Sequence, residues 1–542
     1  MTEVLSERVL DRVPFRDLGF SRLFADYCDA AAPAVSFFGS HFRSDLNARL
    51  RQVPPFDATS RGILVDVLSE QNARWQASPA THDNIDRLSN PGARCIVTGQ
   101  QLGLFVSPLY TIYKSLTTLH LAAKLSTDEI PVVPVFWLAD EDHDLDEIDH
   151  CLLPGKDGVA RIEYPRGFDS QGPTGALIVD SDSQRALSEL RTHLSDLPYA
   201  ESILNDIEAC YASGVSFADA FASLLHRMLP GTGLVICSGA DSRLKERAIP
   251  LFERSVREAD ALDQTLSEST KRIEAAYHAQ LHIRNTNLFL VQDGVRSGVD
   301  RRDGQFELKG SGRSFSEEEL VGLIRSQPGA VSPNVVLRPI YQDLLFPTLA
   351  YVGGPGEVAY YAQIRPAYDW AGIQMPIIYP RASLSLMDGS ASRLIKAEGL
   401  AFTELSARPE QLFRDLVIKR MSVDVDASIG NARDQADVLL NELLLTASRL
   451  DPTLDGSVEA IRAQLRKRLD RLGLKFLRAE KRKHDLLEEQ VQRSTSFLFP
   501  DGKLQERTFL PAYFLARYGP NYFVRLLDDL DADTSHHFVL RA

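Results

Sequence analysis

The stretch ARCIVTGQQLGLFVSPLYTIYKSLTTLHLAAKLSTDEIPVVPVFWLADEDHDLDEIDH, from Ala93 to His150, decides the fold. ARCIVT is a short β-branched run. SPLYTIYKSLTTLHLAAKL then carries apolar residues at helical spacing, with Ser107 as the expected cap and Pro108 just inside. PVVPVFWL is apolar throughout, as a strand covered on both faces must be. Outward from this stretch the alternation continues. FADAFASLLHRML reads as a helix, and GLVICS and MPIIYP read as strands. Strand and helix in turn imply a parallel α/β sheet with right-handed crossovers.

In open sheets of this kind ligands bind beyond the carboxyl ends of the strands. IVT runs into Gly99-Gln100-Gln101, FWL into Asp140-Glu141-Asp142-His143-Asp144, VICS into Gly239-Ala240-Asp241, and IIYP into Arg381-Ala382-Ser383. The glycine turn before a helix suits phosphate or carboxylate on exposed N–H groups, with Tyr110 and Lys114 one turn apart on that helix. No GxxxxGK[ST] or GxGxxG is present there. DEDHDLDEIDH packs seven acids and two histidines into eleven positions. Hard carboxylates with a histidine suit Mg²⁺ or Mn²⁺. Alternatively Glu141, Asp142 and His143 recognise an amine and move protons, while later acids favour a helix start. Beside so many carboxylates the histidine is expected to be charged. A third segment, Ser332 to Ser383, holds Asn334, Arg338, Gln342 and Asp343, then the Gly353-Gly354-Pro355-Gly356-Glu357 turn, where backbone can approach a ligand closely.

Composition bounds what this chemistry serves. The chain has 542 residues, 60 Lys and Arg against 74 Asp and Glu, and a net charge of −14. That opposes general nucleic-acid binding, which needs clustered cations. At 44% hydrophobic and 25% charged it is an ordinary folded chain. No run approaches the ~20 apolar residues of a membrane span. The start lacks a secretion signal, and five scattered cysteines without a CxxC pair are expected to be reduced, so a cytoplasmic protein is expected. Residues 151–216 and 285–330 read as insertions in a core spanning 1–385, the second with hairpins at Asp-Gly turns. Ala432 to Leu450 and Val458 to about Val491 read as two helices of a coiled-coil arm within 386–499, and 500–542 returns to the core. The second helix has a seam at Leu465, Leu469, Leu472, Phe476, Ala479 and Leu486, interrupted at Lys483. The seam predicts a homodimer, and from Val458 to Arg493 the helix carries eleven Lys and Arg against six acids, which reads either as a solvated helix face or as an anion site near the arm's base.

VTGQQLGLFVSPLYTIYK, PVVPVFWLADEDHDLDEIDH, the whole of Ser332 to Ser383, and LFPDGKLQERTFLPAYFLARYGPNY resemble, in the same order, the bacillithiol biosynthesis cysteine-adding enzymes, the BshC family. The resemblance implies a Rossmann-like core similar to class I nucleotidyltransferases, with connecting-peptide insertions and a dimerising coiled coil. It implies a ligase that joins the cysteine carboxyl to the amine of glucosaminyl malate, the last step of bacillithiol synthesis. It also implies an ATP or ADP pocket between arm and core. SPLY stands where the HxGH of adenylate-forming class I enzymes falls, and KMSKS is absent. An amide from a free acid needs activation, for which ATP with Mg²⁺ is expected.

Under this reading the catalytic candidates are Glu141, Asp142, His143, Asn334 and Arg338. Nucleotide and phosphate fall to Gly99, Gln100, Ser107, Tyr110 and Lys114 in the crevice and to Lys481, Arg482, Lys483, Gln505 and Arg507 at the arm's base. Substrate falls to Gln101, Trp137, Gln342, Gly354, Glu357 and Arg381. Two alternatives stand beside it: a metal-dependent hydrolase built on the acidic cluster at 140–150, and a non-catalytic nucleotide-binding dimeric scaffold.

Overall fold

The computed structural model describes residues 8–43, 46–53, 57–155, 158–164, 171–281, 283, 286–421, 423–528, 530 and 533–542. The chain divides into two units, one of residues 1–386 with 504–541, the other of residues 387–503 with Ala542. Among the described residues no helix is long and apolar enough to cross a membrane.

The first unit is built on five strands, β1 (Arg94–Gln100), β2 (Val132–Leu138), β3 (Val235–Ser238), β4 (Thr348–Gly353) and β5 (Ile377–Pro380). They lie in the order β5-β4-β1-β2-β3, and every neighbouring pair is parallel. The chain moves outward from β1 through β2 to β3, then returns to the other side of β1 with β4. That reversal opens a crevice between β1 and β4. Four of these strands follow from their apolar runs. The fifth, β4, sits inside the segment whose glycines read as a turn, and its six residues are all buried beside β1.

All seven residues of β2 are buried, which is why its sequence does not alternate. The helix after β1 spans Tyr110–Leu125, starting three residues later than its apparent cap. Ser107 is not its N-cap; that position is Leu109, whose own N–H donates to Phe509 O. The helix start is thereby covered by the returning C-terminal segment, and the expected phosphate site on its N–H groups does not form.

The insertion after β2 contains the hairpin His150–Gly155 and Gly158–Glu163 and three helices up to Met228. Residues 165–170 of its glycine-rich loop lie outside the described residues. The later insertion is an antiparallel sheet whose Asp293-Gly294 and Asp303-Gly304 turns both take positive φ at the two positions. This is the backbone a two-residue hairpin needs to match strand twist.

The second unit contains two long helices, Val425–Leu450 and Asp455–Lys481, joined across Pro452. They pack on each other through Ile429, Leu440 and Ala447 from the first and the face that carries Leu465, Leu469 and Gly473 from the second. The expected continuous helix to Val491 is broken at 482–484, and a new helix runs Asp485–Leu498. Lys483 falls on the seam there, so that turn has no apolar side chain to bury. The expected seam also splits, because Leu472 and Phe476 stay 40% and 45% exposed while Leu465 and Leu469 face inward.

Candidate active site

Over the β1/β4 reversal lies a cleft of about 1330 Å³, walled by the strand ends on one side and by the antiparallel insertion on the other. A pocket for one small ligand is typically ~300–1,000 Å³, so this one has room for more than one substrate. Gly99 lies next to the end of β1, paired with β2, and a Cβ there would meet Trp137 O at 2.9 Å. Only glycine lets the two strand ends stay this close at the cleft floor.

The acidic run after β2 does not act as one cluster; its carboxylates are dealt out to different partners. Asp140 is buried and accepts the Ser238 hydroxyl on Oδ2. Glu141 takes Lys245 Nζ on both oxygens, each at 2.7 Å. Asp142 accepts Gln101 Nε2 at 2.9 Å and the His143 N–H at 2.8 Å. Among the described residues no group of three or more His, Cys, Asp or Glu is placed to hold a metal ion, so the expected Mg²⁺ or Mn²⁺ site in this run does not form. Arg296 Nη1 lies 2.8 Å from His143 Nδ1, and a guanidinium only donates, so Nδ1 faces a donor.

Across β1 the cleft turns basic and aromatic. Lys114, 2% exposed, donates to Gly99 O at 2.7 Å and Gln100 Oε1 at 2.9 Å and pairs with Glu357. Burial pushes the Glu357 carboxyl up. Lys114, the Gly354 N–H and the Tyr351 hydroxyl outweigh it and hold the group below its ordinary value. Glu357 thus ties the first turn of the helix Pro355–Ala371, whose Gly354, Pro355 and Gly356 open on the cleft. Arg338 lines the same flank. It donates to Tyr360 Oη at 2.9 Å and has no carboxylate partner among the described residues. Neighbouring tyrosines and Glu357 raise its pKa against the cost of burial.

Other candidates are already engaged. Asn334 accepts from the N–H groups of Val336 and Leu337 and donates to Asn287, so it lines the cleft as a scaffold for Arg338. Gln342 is fully buried behind Arg338, with its amide donating to Asp343. Arg381 forms a two-bond pair with Glu506 at 2.9 and 2.7 Å and stands 5.3 Å over the Tyr110 ring. Trp137 is 1% exposed and packs edge-on against Tyr341. Ser107 does not line the cleft.

The residues expected at the arm's base are divided between the two units. Lys481, Arg482 and Lys483 belong to the second unit, where Lys483 donates to Glu480 at 2.6 Å and Lys481 sits over Phe413. Gln505 belongs to the first and is buried with its amide bonded to the Leu386 N–H and C=O. Arg507 lines the cleft itself.

Residues missed from the sequence include Lys245, Arg296, Tyr351 and Tyr360. Tyr351 and Tyr360 lay inside the quoted segment without a distinguishing signal. Lys245 and Arg296 come from a helix and a hairpin whose patterns are those of any solvated element.

The reversed parallel sheet and the cleft over its switch point define a Rossmann-like α/β domain, here with a helical appendage. The chain belongs to the BshC family. The profile "Bacillithiol biosynthesis BshC, N-terminal Rossmann-like domain" matches residues 10–382, and the C-terminal coiled-coil domain of the same family matches 384–542. Proteins named "Putative cysteine ligase BshC" are similar over nearly the whole chain. That of Salinibacter ruber is 37% identical over 99% of both chains. Those of Chlorobaculum tepidum and Koribacter versatilis are 33% and 32% identical, over 96% and 98% of this chain and 97% and 99% of theirs. Neither the hydrolase nor the scaffold alternative is supported by these relatives.

Proposed function

We propose that the protein is a carbon–nitrogen ligase that joins the carboxyl of cysteine to the amine of glucosaminyl malate, giving bacillithiol. The observation that carries this reading beyond family membership is the division of the cleft. One flank presents Asp140, Asp142 and Glu147, and the other presents Arg338, Arg507 and the open helix start at Gly354–Gly356. An amine prefers the first. The malate carboxylates, or the phosphates of an activating nucleotide, prefer the second, where a guanidinium with no carboxylate partner among the described residues and a helix N-terminus both favour anions.

ATP, with Mg²⁺ arriving on it, is the activator this chemistry calls for, and it supplies a phosphate leaving group for the cysteine carboxyl. The chain's own part is to hold the two reactants in one water-poor cleft, with Gly99 and Gln100 between the flanks. The protein acts as a homodimer through the apolar residues left exposed on the second unit, Leu439, Leu443, Leu472 and Phe476 among them. It works in the cytoplasm, in keeping with five unpaired cysteines. The test is incubation of purified protein with cysteine, glucosaminyl malate, ATP and Mg²⁺, read by mass spectrometry. Bacillithiol is expected, and its absence across nucleotides overturns the reading.

A further inference from the structure

We propose that Asp140 accepts the proton that the amine loses when the amide forms, an inference that rests on the ligase reading above. Four side chains at the carboxyl end of β2 could take a proton from nitrogen, and three are otherwise engaged. Glu141 gives both oxygens to Lys245. Asp142 is spent on Gln101 and a backbone N–H and is 38% exposed. The Nδ1 lone pair of His143 faces Arg296.

Asp140 differs in each respect. It lies two residues beyond β2, lines the cleft and is 5% exposed. Its Oδ2 takes the hydroxyl of Ser238 from the end of the neighbouring β3, and among the described residues no other side chain donates to the carboxylate. Backbone fixes it from behind. The Gly175 N–H donates to Asp140 O at 2.8 Å, and a Cβ on Gly175 would come within 2.5 Å of Asp140 Cβ. The groups around it are Glu141, Lys245, the Cys237 thiol and the Tyr341 phenol. Burial first, then the Glu141 charge, push the carboxyl up to about 7, with Ser238 and Lys245 pulling the other way. A base poised there is half ionised at working pH.

The step balances. The amine nitrogen attacks the carbonyl carbon of a cysteinyl group bearing a phosphate leaving group, and the C–N bond forms. The C–O bond breaks with its electron pair on the phosphate oxygen. The N–H proton passes to the Asp140 carboxylate and on to water.

The experiment is the pH–rate profile of the full chain with cysteine, glucosaminyl malate and ATP. Wild type should show an acidic limb centred near pH 7. Asp140→Asn should lose that limb and about 10²- to 10⁴-fold of kcat. Ser238→Ala should move the limb to higher pH, because the carboxylate loses a hydrogen bond, and this reading survives if Asp140→Asn fails to fold. No amide from wild type overturns the ligase reading and this proposal together. Normal wild-type turnover with the limb retained in Asp140→Asn, unmoved in Ser238→Ala, or abolished instead by Glu147→Gln overturns the proposal alone.

Discussion

Lys245 Nζ stands 2.7 Å from both carboxylate oxygens of Glu141, with the lysine side chain wholly buried and the glutamate 16% exposed. The third donor of the ammonium goes to Val331 O at 2.9 Å, so one cation pins the end of β2 to a strand of the antiparallel insertion. The cleft wall is thus tied to the cleft floor by a charge pair whose members are 104 residues apart.

Removing one partner of such a pair leaves the other buried and uncompensated, at a cost of ~3–5 kcal/mol. Lys245→Met should therefore lower stability by about that amount in urea unfolding, whereas the double variant Lys245→Met with Glu141→Leu should recover most of the loss. Equal stability of the single variant and the wild type would show that the pair does not hold the wall.

Arg338, on the basic flank, has no carboxylate partner among the described residues and is assigned to the anionic substrate. A charge-assisted hydrogen bond is worth ~1.5–3 kcal/mol, which is about 10- to 150-fold. Arg338→Gln should raise KM for glucosaminyl malate by that factor with KM for cysteine little changed, and Arg338→Lys should fall between because it keeps charge but loses the planar fork. Steady-state kinetics with each substrate varied in turn decides it.

His537 is fully buried between Ser383 Oγ, 2.8 Å from Nδ1, and Ser385 Oγ, 2.9 Å from Nε2. Burial lowers its pKa to about 4, against the pull of Glu506. Above pH 6.5 it is neutral in folded and unfolded chains alike and costs nothing. As pH falls from 6.5 toward 4 the unfolded chain binds the proton first, and folded stability is lost. The stability advantage of wild type over His537→Gln should accordingly shrink by about 2–3 kcal/mol between pH 7.5 and 4.5. Urea unfolding at the two pH values measures it, and other titrating groups cancel in the difference.

On the second unit, Leu443 is 57%, Leu472 40% and Phe476 45% exposed. Leu443→Glu together with Phe476→Glu should convert a dimer to a monomer by light scattering while helicity by circular dichroism holds, since both side chains are about half exposed on their own unit. An unchanged mass would place the dimer contact elsewhere or nowhere.

The alternation of apolar runs and helical spacing from Ala93 onward was enough to read a parallel α/β core, because a strand buried on both faces has no choice but to be apolar throughout. The quoted strings were enough for the family, and the strand-end rule pointed to the crevice. The sequence could not apportion the charges. Asp140, Glu141, Asp142 and His143 are adjacent in the chain, and whether they form one metal cluster or four separate contacts depends on Ser238, Lys245, Gln101 and Arg296. Those partners arrive from 41 residues away, for Gln101 and Asp142, to 153, for Arg296 and His143. Local pattern determined which elements form, since period and burial are properties of neighbouring residues. Pairing determined what each polar side chain is able to do, and pairing is a property of the tertiary fold alone.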